Sequence, residues 1–241
     1  MFSGSYSSVM ETGRKRMKAG YFVLTAALLM TLWTPVRAGV VVGGTRLIYD
    51  GGKKESALNI SNPDAMPYLI QSWVDAQEGD SAKAPFIITP PLFRLDGGQN
   101  NLLRVVRAGG NLPTDRESLY WLNVKAIPSV EKKENTLQIA IKTRIKLIYR
   151  PQGLTGNLEE AAGKVTWRRS GDRLQVTNPS PYYLTFFNLK LNGRAITGNT
   201  MVAPQASASF PLPTANGAGG GLSWQIINDY GGTGQTFTST L

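Results

Sequence analysis

The 241-residue chain contains no cysteine and no histidine. Without cysteine there are no disulfides and no thiolate nucleophile, so any fold must rest on packed apolar cores. Without histidine, Ser–His–Asp and Cys–His catalysis are excluded, together with most zinc sites. Acidic residues are scarce as well, 16 against 26 basic ones. No stretch shows a convincing helical period, and the most apolar run, Tyr21–Trp33, has 13 residues. A bilayer-spanning helix needs about 20.

That short run has the form of an export signal instead. Arg14, Lys15, Arg16 and Lys18 precede it, and Val36-Arg37-Ala38 supplies a small-x-Ala cleavage pattern. Residues 1–38 therefore read as a signal peptide cut between Ala38 and Gly39, with no membrane anchor left after cleavage. The basic region is long, which leaves Met1 and Met17 both open as the start. The leader takes five basic residues and one acidic residue, leaving 21 against 15 and a net charge of +6 on Gly39–Leu241. Such a balance favours acidic partners modestly. Export and the lack of any DNA- or RNA-binding motif argue against nucleic acid.

Paired carboxylates and Ser–Lys chemistry survive these absences in principle. Ser129-Val-Glu-Lys132 matches S-x-x-K, but it follows Pro128 in a charged turn. Gly231-Gly232-Thr233-Gly234 lacks the lysine of a phosphate loop and has no helix pattern after it, so it reads as a tight turn. No catalytic residue, metal-ligand set or cofactor motif emerges, and the chain does not read as an enzyme.

Alternating apolar runs fill the exported part: Val40–Tyr49, Ala57–Ser61, Tyr68–Val74, Phe86–Thr89, Leu102–Val106, Leu119–Ile127 and Leu137–Tyr149. Seven strands in one such stretch predict an immunoglobulin-like sandwich over residues 39–153. A linker over 154–163, with at most one helical turn, leads to a second all-β set over 164–241: Val165–Arg168, Leu174–Thr177, Tyr183–Leu191, Ser207–Phe210, Leu222–Ile227 and Thr236–Thr240. Trp73, Tyr120, Trp121, Tyr182 and Tyr183 fall within apolar strand patterns and are expected in cores. That placement counts against a second function class, an exported two-domain adhesin or carbohydrate-binding protein, which would display aromatic platforms on loops.

One strand is anomalous. Leu137, Ile139, Ile141, Thr143, Ile145, Leu147 and Tyr149 form one face of a run that would span roughly 43 Å. The other face carries Lys142, Arg144, Lys146 and Arg150. A sandwich core about 10 Å thick needs only the half from Thr143 onward. Leu137, Ile139 and Ile141 are surplus, and they either pack under a loop of their own domain or wait to pair with another chain.

The stretch "LPTDRESLYWLNVKAIPS" (Leu112–Ser129) resembles the signature of the periplasmic pilus-assembly chaperones at Leu112-Pro113, Asp115-Arg116-Glu117-Ser118-Leu119, Trp121, Asn123-Val124 and Ile127-Pro128-Ser129. "GVVVGGTRLIYD", "YLIQSW", "FIITPPLFRL", "RIKLIYRP", "NPSPYYLT" and "INDYGG" extend the likeness along the exported chain, closest to chaperones of type 1 pili. The short "SVEKKE" loop and the lack of cysteine look like the branch that serves rod-shaped pili.

The resemblance implies a boomerang of two immunoglobulin-like domains in the periplasm. It would bind and cap pilus subunits by donor-strand complementation, as other pilus chaperones do, and deliver them to an outer-membrane usher without ATP. It also implies roles for named residues. Leu137, Ile139 and Ile141 match the inserted apolar row. Arg46 and Lys146 match the anchor for the subunit's terminal carboxylate, both facing an open cleft. Glu117, Arg150 and Asp229 match an ion-pair triad between the domains.

Overall fold

Strict alternation of buried and exposed side chains builds the first half of the exported chain. Strand β3 (Glu55–Ser61) buries Leu58 and Ile60 and turns Ala57 and Asn59 outward; β7 (Asn100–Arg107) buries Leu103 and Val105 and exposes Leu102, Arg104 and Val106. The computed structural model describes residues 39–76, 83–129, 137–197, 201–212 and 219–241. Gly39–Leu241 forms one compact unit. The leader and most of the "SVEKKE" loop, with the lysine of its S-x-x-K match, lie outside the described residues. Among those described, no helix is long and apolar enough to cross a membrane.

The strands of this half are β1 (Val41–Val42), β2 (Arg46–Asp50), β3 (Glu55–Ser61), β4 (Tyr68–Asp75), β5 (Phe86–Thr89), β6 (Leu92–Leu95), β7 (Asn100–Arg107), β8 (Ser118–Pro128) and β9 (Ile141–Arg150). They form two sheets, ordered β1-β3-β7-β5 and β2-β9-β8-β4-β6. Between them lie Ile60, Ile70, Leu103, Leu122 and Leu147, all essentially inaccessible, with Tyr49, Phe86 and Tyr149 in mutual ring contact. Each such aliphatic side chain stabilises the fold by about 1.5–3 kcal/mol through burial.

A six-residue helix, α1 (Leu158–Gly163), follows; the Asn157 side chain caps it by accepting the Glu160 N–H at 2.9 Å. It docks Ala161 and Ala162 on a second sandwich made of β10 (Thr166–Ser170), β11 (Arg173–Asn178), β12 (Leu184–Leu191), β13 (Arg194–Ala195), β14 (Met201–Val202), β15 (Ala206–Pro211), β16 (Gly221–Ile226) and β17 (Phe237–Thr240). Its sheets run β10-β11-β15 and β13-β12-β16-β17, with β14 also on β12. Half-buried Trp167 packs against the core, 5.1 Å from the ring of Phe186 and 5.2 Å from that of Trp224. The two immunoglobulin-like halves repeat one device. Buried Asn62 donates to the carbonyls of Met66 and Leu95, and buried Asn178 to those of Tyr182 and Ala203, each at a strand end before a proline.

The structure corrects several expectations. The run Val40–Tyr49 is two strands, because the chain leaves β3 after Val42 and crosses to β9. Gly43 sits so close to β3 that a Cβ there would lie 2.9 Å from the Asn59 carbonyl oxygen, so only glycine fits at the crossing. The long strand is ten residues, not thirteen. Its ladder begins at the pair Ala126–Ile141, and among the described residues 137–140 form no ladder with a strand. Trp73 is not in the core: it is half-buried on the opposite face of β4 from Ile70, and Trp121 likewise lies on the outer face of β8. Strands β6, β13 and β14 have four residues or fewer, too short for periodicity to reveal.

Candidate functional site

Strand β9 organises the site. Its even-numbered residues face away from the first core, and in the parallel ladder with β2 Lys146 pairs with Arg46, Ile148 with Ile48 and Arg150 with Asp50. Arg46 and Lys146 are thus brought together as direct neighbours. Arg46 lies on the wall of a cavity and Lys146 is half-buried, so both are less open than the resemblance implies. Arg46 is only 9% exposed, and its Nη1 donates to the Ile227 carbonyl at 3.1 Å, while its Nε is buried without a hydrogen-bond partner. Lys146 Nζ donates to Thr185 Oγ1 at 3.0 Å. The second sandwich closes over the pair because its β12 and the residue just after β16 supply those acceptors. Burial lowers the pKa of Arg46 against the opposing carboxylates of Asp229 and Glu117. Burial, helped by the charge of Arg46, lowers Lys146 to about 8.

Glu117, Arg150 and Asp229 form one hydrogen-bonded cluster. Arg150 Nε donates to Glu117 Oε1 at 2.7 Å, and Nη1 and Nη2 grip Asp229 at 2.7 and 2.8 Å. The other Glu117 oxygen accepts the Tyr183 N–H at 2.7 Å, and the Arg150 guanidinium lies 5.2 Å over the Tyr182 ring. Glu117 sits just before β8 and Arg150 at the end of β9, whereas Tyr183 and Asp229 belong to the second sandwich. Burial raises the pKa of Glu117 despite Arg150 and the Tyr183 N–H. Burial opposes the charge of Arg150, but the bonds and charges of Asp229 and Glu117 outweigh it and raise its pKa. Asp229 is aimed by its turn: Asn228 Oδ1 accepts the N–H groups of Tyr230 and Gly232, and Gly231 has φ +84°. A Cβ at Gly231 would meet Thr45 Oγ1 at 2.5 Å. Arg46, Arg150, Asp229 and Tyr230 line a cavity of about 490 Å³.

Leu137 and Ile139 precede β9 and Ile141 begins it; the three are 83%, 64% and 54% exposed. Of the half expected in the core, Ile145, Leu147 and Tyr149 are buried there and Thr143 is half-buried. Sequence reading missed Thr185 and the Ile227 carbonyl as partners of the cation pair. A backbone carbonyl leaves no signature in a sequence, and Thr185 lies 39 residues from Lys146. It also missed the stacking of Lys142 on Trp73 at 5.1 Å and of Arg144 on Trp121 at 4.5 Å. Among the described residues no cluster of three or more acidic side chains could hold a metal ion.

Residues 39–155 match the family profile described as "Pili and flagellar-assembly chaperone, PapD N-terminal domain", and residues 160–238 match "Pili assembly chaperone PapD, C-terminal domain". The chain is 44% identical over 229 residues to the chaperone protein FimC of Escherichia coli K12, covering 91% of this chain and 93% of that protein. It is 42% identical over 230 residues to the probable fimbrial chaperone LpfB of Escherichia coli O157:H7, covering 94% and 99%. Among solved structures, the E. coli chaperone DraB superposes with a TM-score of 0.75 at 40% identity, covering 83% of this chain and 95% of that one. The SafB chaperone of Salmonella enterica, solved in complex with the SafA pilin, gives 0.78 at 38% identity, covering 86% and 99%.

Proposed function

The chain belongs to the pilus-assembly chaperone family of the PapD type, and we propose that it binds pilus subunits in the periplasm, completes their fold with its own β9, and delivers them to an outer-membrane usher. One observation carries this reading: an exposed apolar row, Leu137–Ile139–Ile141, leads into strand β9, which runs on to the cation pair Arg46–Lys146. A subunit sandwich lacking a strand would take the row into its open core. Burying three such side chains contributes roughly 5–9 kcal/mol gross, before the ordering of the partners is subtracted. Its terminal carboxylate would be held by Lys146 and Arg46, with Arg46 reached from the cavity that it lines. Charge-assisted bonds there define the register that strand pairing alone leaves loose. The SafB structure, with its bound pilin, supports a subunit as the partner. Folding of the subunit supplies the free energy, so no nucleotide is needed.

In this reading the Glu117–Arg150–Asp229 cluster holds the two sandwiches at one mutual orientation and thereby shapes the anchor. Export would be directed by residues 1–38. The test is recovery of the tagged protein from the periplasm of piliated cells. A stoichiometric complex with a small pilin-type subunit is expected. Recovery of subunit-free protein from cells that assemble pili through it would overturn the proposal.

A further inference from the structure

The edge of β9 constrains what it can capture. On one side β9 pairs with β8 along Ile141–Tyr149; on the other it pairs with β2 only along Lys146–Arg150. Among the described residues, Ile141–Ile145 therefore have a ladder partner on the β8 side alone. The open stretch is in line with β2, which runs parallel to β9 and begins at Arg46. A strand laid there in the same parallel sense ends at Arg46 and Lys146. Residues opposite one another in a ladder share a face. Side chains of that strand opposite Lys142 and Arg144 must then project on the same side as those two cations, and those of the other parity on the side of Ile141, Thr143 and Ile145.

The face that receives them is cationic and preset. Lys142 is stacked on Trp73 and Arg144 on Trp121, which limits the freedom both would otherwise lose on binding. Lys125 is the cross-strand neighbour of Lys142, and Lys146 of Trp121. Asp75 is the acid in this row, and its carboxylate accepts the Asn123 Nδ2–H at 3.0 Å. Asn123 is fully buried beneath the stacks, and its Oδ1 has no hydrogen-bond partner. Lys142 and Arg144 are exposed and have no ion pair among the described residues.

We propose that this face selects strands by charge: the captured segment carries Asp or Glu at the two alternate positions opposite Lys142 and Arg144, apolar residues at the intervening positions, and a free carboxyl end. The inference rests on the subunit-capture reading above and adds the chemical class of segment preferred. Two exposed ion pairs of this kind amount to roughly a five- to tenfold preference at low salt, and screening in about 1 M salt removes most of it.

The test uses synthetic peptides of about twelve residues that alternate valine with threonine, with the polar positions nearest the free carboxyl end made Glu in one and Lys in the other. Calorimetric titration should show the Glu peptide binding roughly five- to tenfold tighter at low salt, with the gap closing at high salt. The double variant Lys142→Glu/Arg144→Glu should reverse the order. Equal affinity for both peptides, or an unchanged preference in the double variant, overturns the proposal. If the double variant fails to melt cooperatively, Lys142→Gln and Arg144→Gln replace it and must each narrow the gap. An amidated Glu peptide separates the two readings. Loss of binding on amidation with no Glu–Lys discrimination sinks the charge selection alone. Discrimination that survives amidation sinks the carboxylate anchor alone, and binding of no peptide sinks both.

Discussion

Arg46 and Lys146 are direct neighbours in the parallel ladder of β2 and β9, so two like charges stand side by side where an open strand edge ends. The pair is poised for an anion, and its charge state depends on pH. Unfolded Lys146 titrates near 10.5 and folded Lys146 near 8. Between those values the unfolded chain holds more protons, so the free protein should gain stability as pH rises from 8 toward 10.5. Carboxylate capture needs the charged lysine and should weaken over the same rise. Melting curves and peptide titrations between about pH 8 and 10 should therefore move in opposite directions, and Lys146→Gln should flatten both. Parallel trends would contradict the assignment.

Lys146→Ala removes a half-buried cation with one hydrogen bond, to Thr185. The fold should persist, while affinity for a subunit or free-acid peptide drops by about 1.5–3 kcal/mol, the worth of a charged hydrogen bond. Arg46→Ala should also weaken binding, and it should lower the melting temperature more, because Arg46 is buried and bonded to the Ile227 carbonyl. A Lys146→Ala protein that holds subunits as well as wild type would rule out the anchor.

Asp229→Ala leaves Arg150 with Glu117 but without its bidentate partner. The arginine side chain is 24% exposed, so water softens the loss. A destabilisation of about 1–3 kcal/mol is expected, with a broader scattering profile as the sandwiches gain freedom. Unchanged melting and unchanged scattering together would show that the cluster does not hold the halves in place.

Intact-mass measurement of exported protein should find a chain beginning at or very near Gly39. A species that keeps Tyr21–Trp33 and sediments with membranes would overturn export as a free protein.

Ile139→Asp separates a donor edge from an ordinary core position. Ile139 is 64% exposed in the free protein, so the substitution should change its stability by no more than about 0.5 kcal/mol. In a subunit's groove the same carboxylate would be buried without a partner, at a cost of several kcal/mol. Subunit complexes and pili should disappear while the free protein melts normally. Unfolding of the free protein would refute the donor reading.

Alternation by itself determined much of this molecule. The buried rows of β3, β7 and β9, two consecutive β-sets and a single helical turn are local patterns, and a period of two declares which side chains face inward. The surplus of Leu137, Ile139 and Ile141 was legible for the same reason, as an apolar row longer than one core can use. What the sequence could not determine depends on which strand lies beside which. The crossing at Gly43, the end of the β9 ladder at Ala126, the closure of Thr185 and the Ile227 carbonyl over Arg46 and Lys146, and the stacking of cations on Trp73 and Trp121 all join residues distant in sequence. Trp73 shows the limit most clearly. An apolar strand pattern assigns it to a core, but an aromatic ring is also stable half-buried under a cation, and only the placement of Lys142 on a neighbouring part of the sheet decides between the two.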